Sequence, residues 1–426
     1  MNIFWFRRDL RVEDNTAFSK ALENTNSVLP IFIFDEDILN ELDPNDSRVN
    51  FIYECLGKIN TQLLNKNSSV LVLKGQVESV WGSLIKRFPI KKVYFNHDYE
   101  PYARKRDNKV IDFLKKHNIK VETYKDQVIF EKSEVIKKDG TPYTVYTPYK
   151  NKWLEKYVTN STERVKKEPK WENLCKTEYK LPSLKDLNLM PSAIKVKPWD
   201  LSQIERYDEF RNFPELNATS ALGPHLRFGT VSIRKLADEA SRINQTFLSE
   251  LIWREFFMQI LWHFPESIHQ NFKSKYDGIQ WRNNSKEFEK WCAGQTGYPI
   301  VDAGMRELNQ TGYMHNRVRM ITASFLIKHL LIDWRWGEAY FASKLLDFEL
   351  SSNVGNWQWA AGTGCDSAPY FRVFNPYEQI KKFDKNFNYI KKWVPEFQEL
   401  TYPKPMVDHK TARLRALETY KKGLNA

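Results

Sequence analysis

DFELSSNVGNWQWAAGTGCDSAPYFRVF, Asp347–Phe374, is the stretch on which the reading of this chain turns. It combines the carboxylates Asp347 and Glu349, the amide Asn353, the indoles Trp357 and Trp359, three glycines and Arg372. Glycine lets backbone approach a ligand closely and tryptophan offers a rigid stacking face, so this mixture suits a surface that holds a flat molecule. A plain core helix needs neither. Trp357 and Trp359 stand two residues apart, which on helical backbone sends their rings to nearly opposite sides. One then serves the interior and the other a cavity.

Outward from this stretch, apolar residues recur with helical spacing from Glu205 almost to the end, so residues 205–426 read as an all-helical domain. The first third reads differently. Short apolar runs at Asn2–Phe6, Val28–Phe34, Ser69–Gly75, Lys92–Asn96 and Ile119–Tyr124 alternate with amphipathic stretches such as Arg48–Leu64 and Tyr102–His117. That alternation predicts an α/β domain over residues 1–130, a Rossmann-like parallel sheet flanked by helices. No G-x-G-x-x-G follows a strand, so a dinucleotide fingerprint is missing there. Residues 131–204 loosen into a polar connector rich in Lys and Pro, as in RVKKEPKWENL (Arg164–Leu174) and KVKPWDL (Lys195–Leu201).

A chain of 426 residues is long enough for two domains, each with its own core. Its formal net charge of +12 serves solubility, and it also favours a polyanionic partner, because Lys and Arg that neutralise phosphates release condensed counterions. An aromatic content of 14%, with 14 Trp, sharpens the second reading, since bases taken out of a duplex are recognised by stacking. Cys55, Cys175, Cys292 and Cys365 form no C-x-x-C pair, which argues against a zinc module and a disulfide framework and points to a reducing cytoplasm. MNIFWFRRDL begins as a strand without a basic leader, and no apolar run approaches membrane-spanning length. Export and membrane insertion are therefore not expected.

Three further constellations carry chemistry. Glu250, Trp253, Arg254 and Phe257 occupy i, i+3, i+4 and i+7, one face of a helix, which by pattern alone is an amphipathic helix with an internal Glu–Arg pair. Asn316, Arg319 and Met320 again share a face, where a methionine ordinarily fills core gaps. TSALGPHLRFG (Thr219–Gly229) reads as a turn ahead of a helix, and hydroxyls and backbone N–H groups from such a loop can cradle a pyrophosphate.

Together with WFRRDLRVEDN (Trp5–Asn15), ELIWREFF (Glu250–Phe257), TGYPIVDAGMREL (Thr296–Leu308), MHNRVRMITASFL (Met314–Leu326) and LLIDWRWGEAYF (Leu330–Phe341), the opening stretch resembles the photolyase/cryptochrome family. The blocks stand in the family's order, cover nearly the whole chain, and most resemble class I cyclobutane pyrimidine dimer photolyases. That resemblance implies an enzyme with one non-covalent FAD in the helical domain. Its excited reduced form would pass an electron to a pyrimidine dimer flipped out of DNA. It also implies roles for particular residues. Glu250 and Met320 would touch the dimer and Asn353 the flavin N5. Trp281, Trp334 and Trp357 would form an electron-transfer chain. The FAD contacts would come from Tyr207, Thr219, Ser220, Ala221, Leu222, Gly223, Arg254, Asn316, Arg319, Asp347, Glu349 and Asn353. DNA and lesion would meet Arg211, Glu250, Trp253, Asn316, Arg317, Met320, Trp359 and Arg372, with Lys381 and Lys382 as further candidates.

Departures from the family's pattern are informative. Ala221 replaces an Arg found in many members and Gly223 a Ser, which removes a charge and a hydroxyl from the phosphate loop. Met320 stands where 6-4 photolyases carry His, and Asn353 where plant cryptochromes place Asp and animal ones Cys, so the resemblance favours cyclobutane dimer repair. After WVPEF (Trp393–Phe397) only residues 398–426 follow, short for a signalling tail. A cryptochrome-type blue-light signalling protein and a 6-4 photolyase are the alternatives. In DYEPYARKRD (Asp98–Asp107), Tyr102 and Ala103 replace the Asn-Glu pair of folate-binding members, which leaves a deazaflavin, a second flavin or no antenna open. A monomer without metal, acting on damaged DNA, is the expected form.

Overall fold

The computed structural model describes residues 1–23, 26–159, 169–216 and 218–425; residues 160–168 of the polar connector lie outside them. Compact packing divides the chain into two units that interleave in sequence. The first comprises Met1–Glu134, Trp153–Pro198 and Leu222–Glu239, and the second Val135–Lys152, Trp199–Ala221 and Ala240–Ala426.

Five parallel strands organise the first unit: β1 (Asn2–Phe6), β2 (Val28–Asp35), β3 (Leu71–Gly75), β4 (Lys92–Asn96) and β5 (Lys120–Tyr124), in the order β3-β2-β1-β4-β5. Every residue of β1 and β2 is buried, which is why both read as apolar runs apart from Asn2 and Asp35 at their ends, as strands covered on two faces do. Alternate residues feed two cores. Phe4, Phe6, Phe32 and Phe34 pack with Leu56, Ile59 and Leu63 of the Ser47–Leu64 helix. Ile3, Trp5, Ile31 and Ile33 pack with Trp81 and Leu84 of the Val77–Arg87 helix and with Val110 and Leu114 of the Pro101–Lys116 helix.

Strand order reverses between β1 and β4, and WFRRDLRVEDN leaves β1 at that point. Its arginines are spent on structure. Arg8 pairs with Asp98 at 3.2 Å and Glu100 at 3.3 Å, Arg227 with Glu100 at 2.6 Å, and Arg7 with Asp107 at 2.5 Å. Burial pushes the Asp98 carboxyl up, yet Arg8, Arg7, Arg106 and Arg227 together hold it well below the usual range. The same motif fastens the 222–239 segment, with Leu10 N donating to Phe228 O at 3.0 Å and Arg11 Nη1 to Gly229 O at 2.9 Å. Gly229 has φ 65°, and a Cβ there would lie 2.2 Å from Arg8 O, so the junction requires glycine.

In the second unit the regular elements described beyond Glu205 are helices, as the periodicity predicts. Gln245–His263 is capped by Asn244, whose side chain accepts from Thr246 N and Phe247 N. Pro299–Thr311, Asn316–Ser324, Trp334–Lys344, Leu350–Ala361 and His409–Leu424 surround a core containing Trp291, Trp334 and Trp357. A helix also runs through the connector, Tyr146–Thr159, where the sequence suggests only loose polar chain.

Candidate active site

Within the second unit lies an open cavity of about 100 Å³. Asn316, Arg319 and Met320 reach it from one face of the Asn316–Ser324 helix, Asn353, Trp357 and Trp359 from the Leu350–Ala361 helix, and Asp347 and Glu349 from the loop before it. These eight residues, scattered through the sequence expectations, are brought together. The first helix is positioned by His315, whose Nδ1 accepts from Arg317 N at 3.2 Å. Burial and then Arg319, Arg317 and Arg211 push His315 down to about 4, which keeps the ring neutral and able to accept.

Arg319 fixes Asp347. Its Nε donates to Met314 O at 2.7 Å and its Nη2 to Asp347 Oδ2 at 2.9 Å. Asp347 Oδ1 is buried without a partner, and an unsatisfied buried acceptor costs about 1–3 kcal/mol. A ligand that brings an N–H or O–H to this oxygen recovers that cost. Asn353 Nδ2 donates to Glu338 O at 3.0 Å and Glu338 Oε1 at 2.8 Å, leaving the amide carbonyl as the group available to a ligand. Burial raises the Glu338 carboxyl against the opposing hydrogen bond from Asn353.

Both tryptophans line the cavity, where the helical reading expects only one to; they differ in burial. Trp357 is buried against Phe341, with ring centroids at 4.9 Å, and Trp291, at 6.2 Å, whereas Trp359 is half-buried at the cavity. Trp334 is fully buried in the same core and donates its Nε1 to Asn271 Oδ1 at 2.9 Å. Trp281 is half-buried at its edge, 5.9 Å from the Tyr420 ring.

A second group sits on the Gln245–His263 helix. Arg211 Nη1 donates to Glu250 Oε1 at 2.5 Å, and Trp253 stacks on Tyr146 at 3.7 Å with an 8° interplanar angle. Tyr207 meets Phe247 edge-on at 5.1 Å, under the Arg211 guanidinium at 5.2 Å. Arg317 donates to Asn212 Oδ1 at 2.6 Å and lies over the Phe383 ring at 4.3 Å. Arg372, Lys381 and Lys382 are exposed. Arg254 is half-buried on the same helix and does not line the cavity.

Thr219–Ala221 group with the second unit and Leu222 and Gly223 with the first; none of the five lines the cavity. Ala221 has φ 52°, a left-handed conformation that costs a non-glycine residue about 1–2 kcal/mol. Such strain is characteristic of binding loops.

Sequence reasoning missed Glu338 and Tyr146. Glu338 stands inside the quoted LLIDWRWGEAYF block, but nothing in its spacing announces a bond to Asn353, 15 residues away. Tyr146 opens a stripe with Tyr149, Trp153 and Tyr157, all buried, that could have revealed the helix. Among the described residues, no cluster of His, Cys, Asp or Glu is placed to hold a metal, and no helix is long and apolar enough to cross a membrane.

Comparison with known proteins assigns the family. Residues 2–170 match the DNA photolyase family and residues 247–401 the FAD binding domain of DNA photolyase. A deoxyribodipyrimidine photo-lyase of Synechococcus sp. is 36% identical over 96% of this chain and 93% of its own. Among solved structures, a class III photolyase from Agrobacterium tumefaciens superposes with a TM-score of 0.87 at 34% identity, covering 100% of this chain and 98% of that one. An archaeal photolyase from Sulfolobus tokodaii, solved with two FAD molecules, gives 0.82 at 32% identity over 99% and 100% of the two chains. At such identity over almost the full length of both partners, the chain belongs to the DNA photolyase family.

Proposed function

We propose that this protein is a deoxyribodipyrimidine photo-lyase that binds FAD and repairs cyclobutane pyrimidine dimers in DNA under blue light. The observation that carries the reading is the Arg319-fixed Asp347, whose buried oxygen has no partner and which lines the cavity. Asn316, Arg319, Asp347, Glu349 and Asn353 would hold the isoalloxazine and adenosine parts of FAD, and Thr219–Ala221 its phosphates. When bound, reduced FAD supplies the electron for ring opening and receives it back.

The chain supplies binding, orientation and charge. Extrusion is required because the reactive bonds otherwise lie within the stack, and a damaged, poorly stacked site costs least to flip. Trp253 and Trp359 offer faces for the flipped bases, Met320 an apolar contact, and Glu250, clamped by Arg211, a hydrogen-bond partner. Arg317 and Arg372 bind flanking phosphates. Burial and the neighbouring Arg211 both lower the Arg317 pKa, so a phosphate there would relieve a real repulsion. Trp357, Trp334 and Trp281 relay electrons from the surface towards the cavity.

Residues 1–130 are read as the antenna domain, 131–204 as connector and 205–426 as the catalytic domain. Tyr102 donates its OH to Asp35 Oδ2 at 2.7 Å and Ala103 is buried, so neither position offers a folate the carboxylate it needs. A deazaflavin, a second flavin or no antenna fits that position. The protein is read as a cytoplasmic monomer, in keeping with its unpaired cysteines. The decisive experiment illuminates reduced protein with oligonucleotides carrying each lesion and keeps dark controls. Light-dependent reversal of the cyclobutane dimer is expected. Preferential 6-4 repair would overturn the substrate, and inactivity on both despite bound reduced FAD would favour signalling.

A further inference from the structure

Arg211, Asn212 and Phe213 are consecutive, and each is tied to a different partner. Arg211 Nη1 donates to Glu250 Oε1 at 2.5 Å, Asn212 Oδ1 accepts from Arg317 Nη2 at 2.6 Å, and the Phe213 ring meets Phe383 edge-on at 6.4 Å. The Arg317 guanidinium lies over that same Phe383 ring at 4.3 Å and gives an N–H from Nη1 to the Met320 sulfur at 3.8 Å. Met320 lines the cavity, so this half-buried arginine stands beside it, held by an amide, a ring and a thioether. Of the five N–H groups of the guanidinium, one remains unused on each terminal nitrogen, and the one on Nε is buried without a partner.

The two arginines differ in what holds them. Arg211 faces a carboxylate, which cancels its charge, whereas Arg317 makes no ion pair among the described residues and the oxygen that fixes it belongs to a neutral amide. We propose that Asn212 is a positioning residue for a DNA phosphate: its amide oxygen and the Phe383 ring fix the Arg317 guanidinium without neutralising it, so a backbone phosphate meets an uncompensated charge already in place. The proposal rests on the phosphate contact proposed above for Arg317. A free arginine would surrender rotamer freedom when a phosphate arrives, and a clamped one has less to lose. An aspartate at 212 would hold the guanidinium as firmly, but it would cancel the charge that attracts DNA. As a mere fastener of the 211–213 turn to the Asn316–Ser324 helix, Asn212 would be replaced by Asp at no cost to DNA binding.

The test is Asn212→Asp in FAD-loaded protein, titrated in the dark by fluorescence anisotropy across a salt series with a dimer-containing duplex and an undamaged duplex of the same sequence. The variant should lower the magnitude of the log-log salt slope by about one on both duplexes, because phosphate contacts carry no sequence information. At about 0.1 M salt it should bind both roughly three- to tenfold more weakly, with FAD absorbance unchanged and thermal unfolding no lower than the parent's. Asn212→Ala keeps the charge but frees the side chain, so the slope should hold while binding weakens roughly two- to fivefold. In an Arg317→Ala background, Asn212→Asp should change the slope little. A parental slope in Asn212→Asp, a loss confined to the damaged duplex, a full further loss in the Arg317→Ala background, or parental affinity in Asn212→Ala overturns the proposal. If Asn212→Asp unfolds or sheds FAD, Asn212→Glu carries the same expectations, and the same failure in both makes Asn212 a structural residue and also overturns it. Should Arg317→Ala itself keep the parental slope, the phosphate reading of Arg317 falls and takes the proposal with it. If Arg317→Ala lowers the slope and Asn212→Asp does not, the proposal alone falls.

Discussion

Replacing Asp347 by Asn tests the cavity at its most exposed assumption, that the unpartnered carboxylate oxygen exists to meet FAD. The substitution keeps size and one acceptor oxygen for Arg319, but it removes the charge and turns an NH2 towards the ligand's donor. Both members of the pair are largely withdrawn from water, with side chains 27% and 17% exposed. A hydrogen bond to a charged group in such a place is worth about 1.5–3 kcal/mol, so FAD affinity should fall roughly 10- to 150-fold. Stability of the FAD-free protein should change little, because relief of an unsatisfied buried carboxylate, about 1–3 kcal/mol, offsets the weaker bond from Arg319. Flavin fluorescence quenching on titration of FAD-free protein gives the affinity, and thermal unfolding gives the stability. Affinity within twofold of the parent, or a drop in FAD-free stability as large as the drop in binding energy, would show that Asp347 is a structural partner of Arg319 and no more.

Trp357→Phe should slow photoreduction of oxidised flavin severely while leaving dimer binding intact, since the ring shape survives and the easily oxidised indole does not; a native photoreduction rate under steady illumination would remove Trp357 from the chain. Arg317→Ala and Arg372→Ala should each lower the magnitude of the log-log salt slope for damaged DNA by about one, and an unchanged slope in both would move DNA to another face. Glu338 offers a pH signature. Its carboxyl is raised above its ordinary value of 4.5, so ionising it in the folded state costs stability as pH climbs through the raised value. Glu338→Gln should therefore be more stable than the parent at neutral pH, with the difference closing as pH falls towards 4.5, and thermal unfolding that showed the parent gaining on the variant with rising pH would reverse the assignment.

The sheet was legible because physics writes it plainly. Strands such as β1 and β2, buried on both faces, are apolar apart from Asn2 and Asp35 at their ends, and the helices between them must alternate. Asn316, Arg319 and Met320 were legible for a similar reason, since helical spacing alone puts them on one wall. The helix at Tyr146–Thr159 was not, because Lys150, Lys152, Lys156 and Pro148 dilute its aromatic stripe to the look of a linker. Glu338 reads as a solvated charge until the Asn353 amide is seen to cover it. Periodicity likewise marks residues 222–239 as largely helical, but which core they join is decided by bonds from Arg8 and Arg11 that periodicity does not register.

Those bonds also govern how the protein can be made. Arg8 Nε reaches Arg227 O across 219 residues of chain, and Arg11 reaches Gly229 across 218. A ribosome that has just released β5 has therefore not yet released the strap that finishes the sheet unit. The second unit waits as well, because Tyr146 must hold until Asp366 arrives, 220 residues later. Neither half matures early, and each leaves apolar surface uncovered while translation continues, when nascent chains are most prone to aggregate. A protein shortened at residue 204 would carry all five strands, yet it would lack Arg227 beside Glu100 and Arg234 beside Asp126, leaving those carboxylates with Arg8 and Arg11 as their remaining arginine partners. The boundary that looks natural on a linear map is thus a poor place to cut.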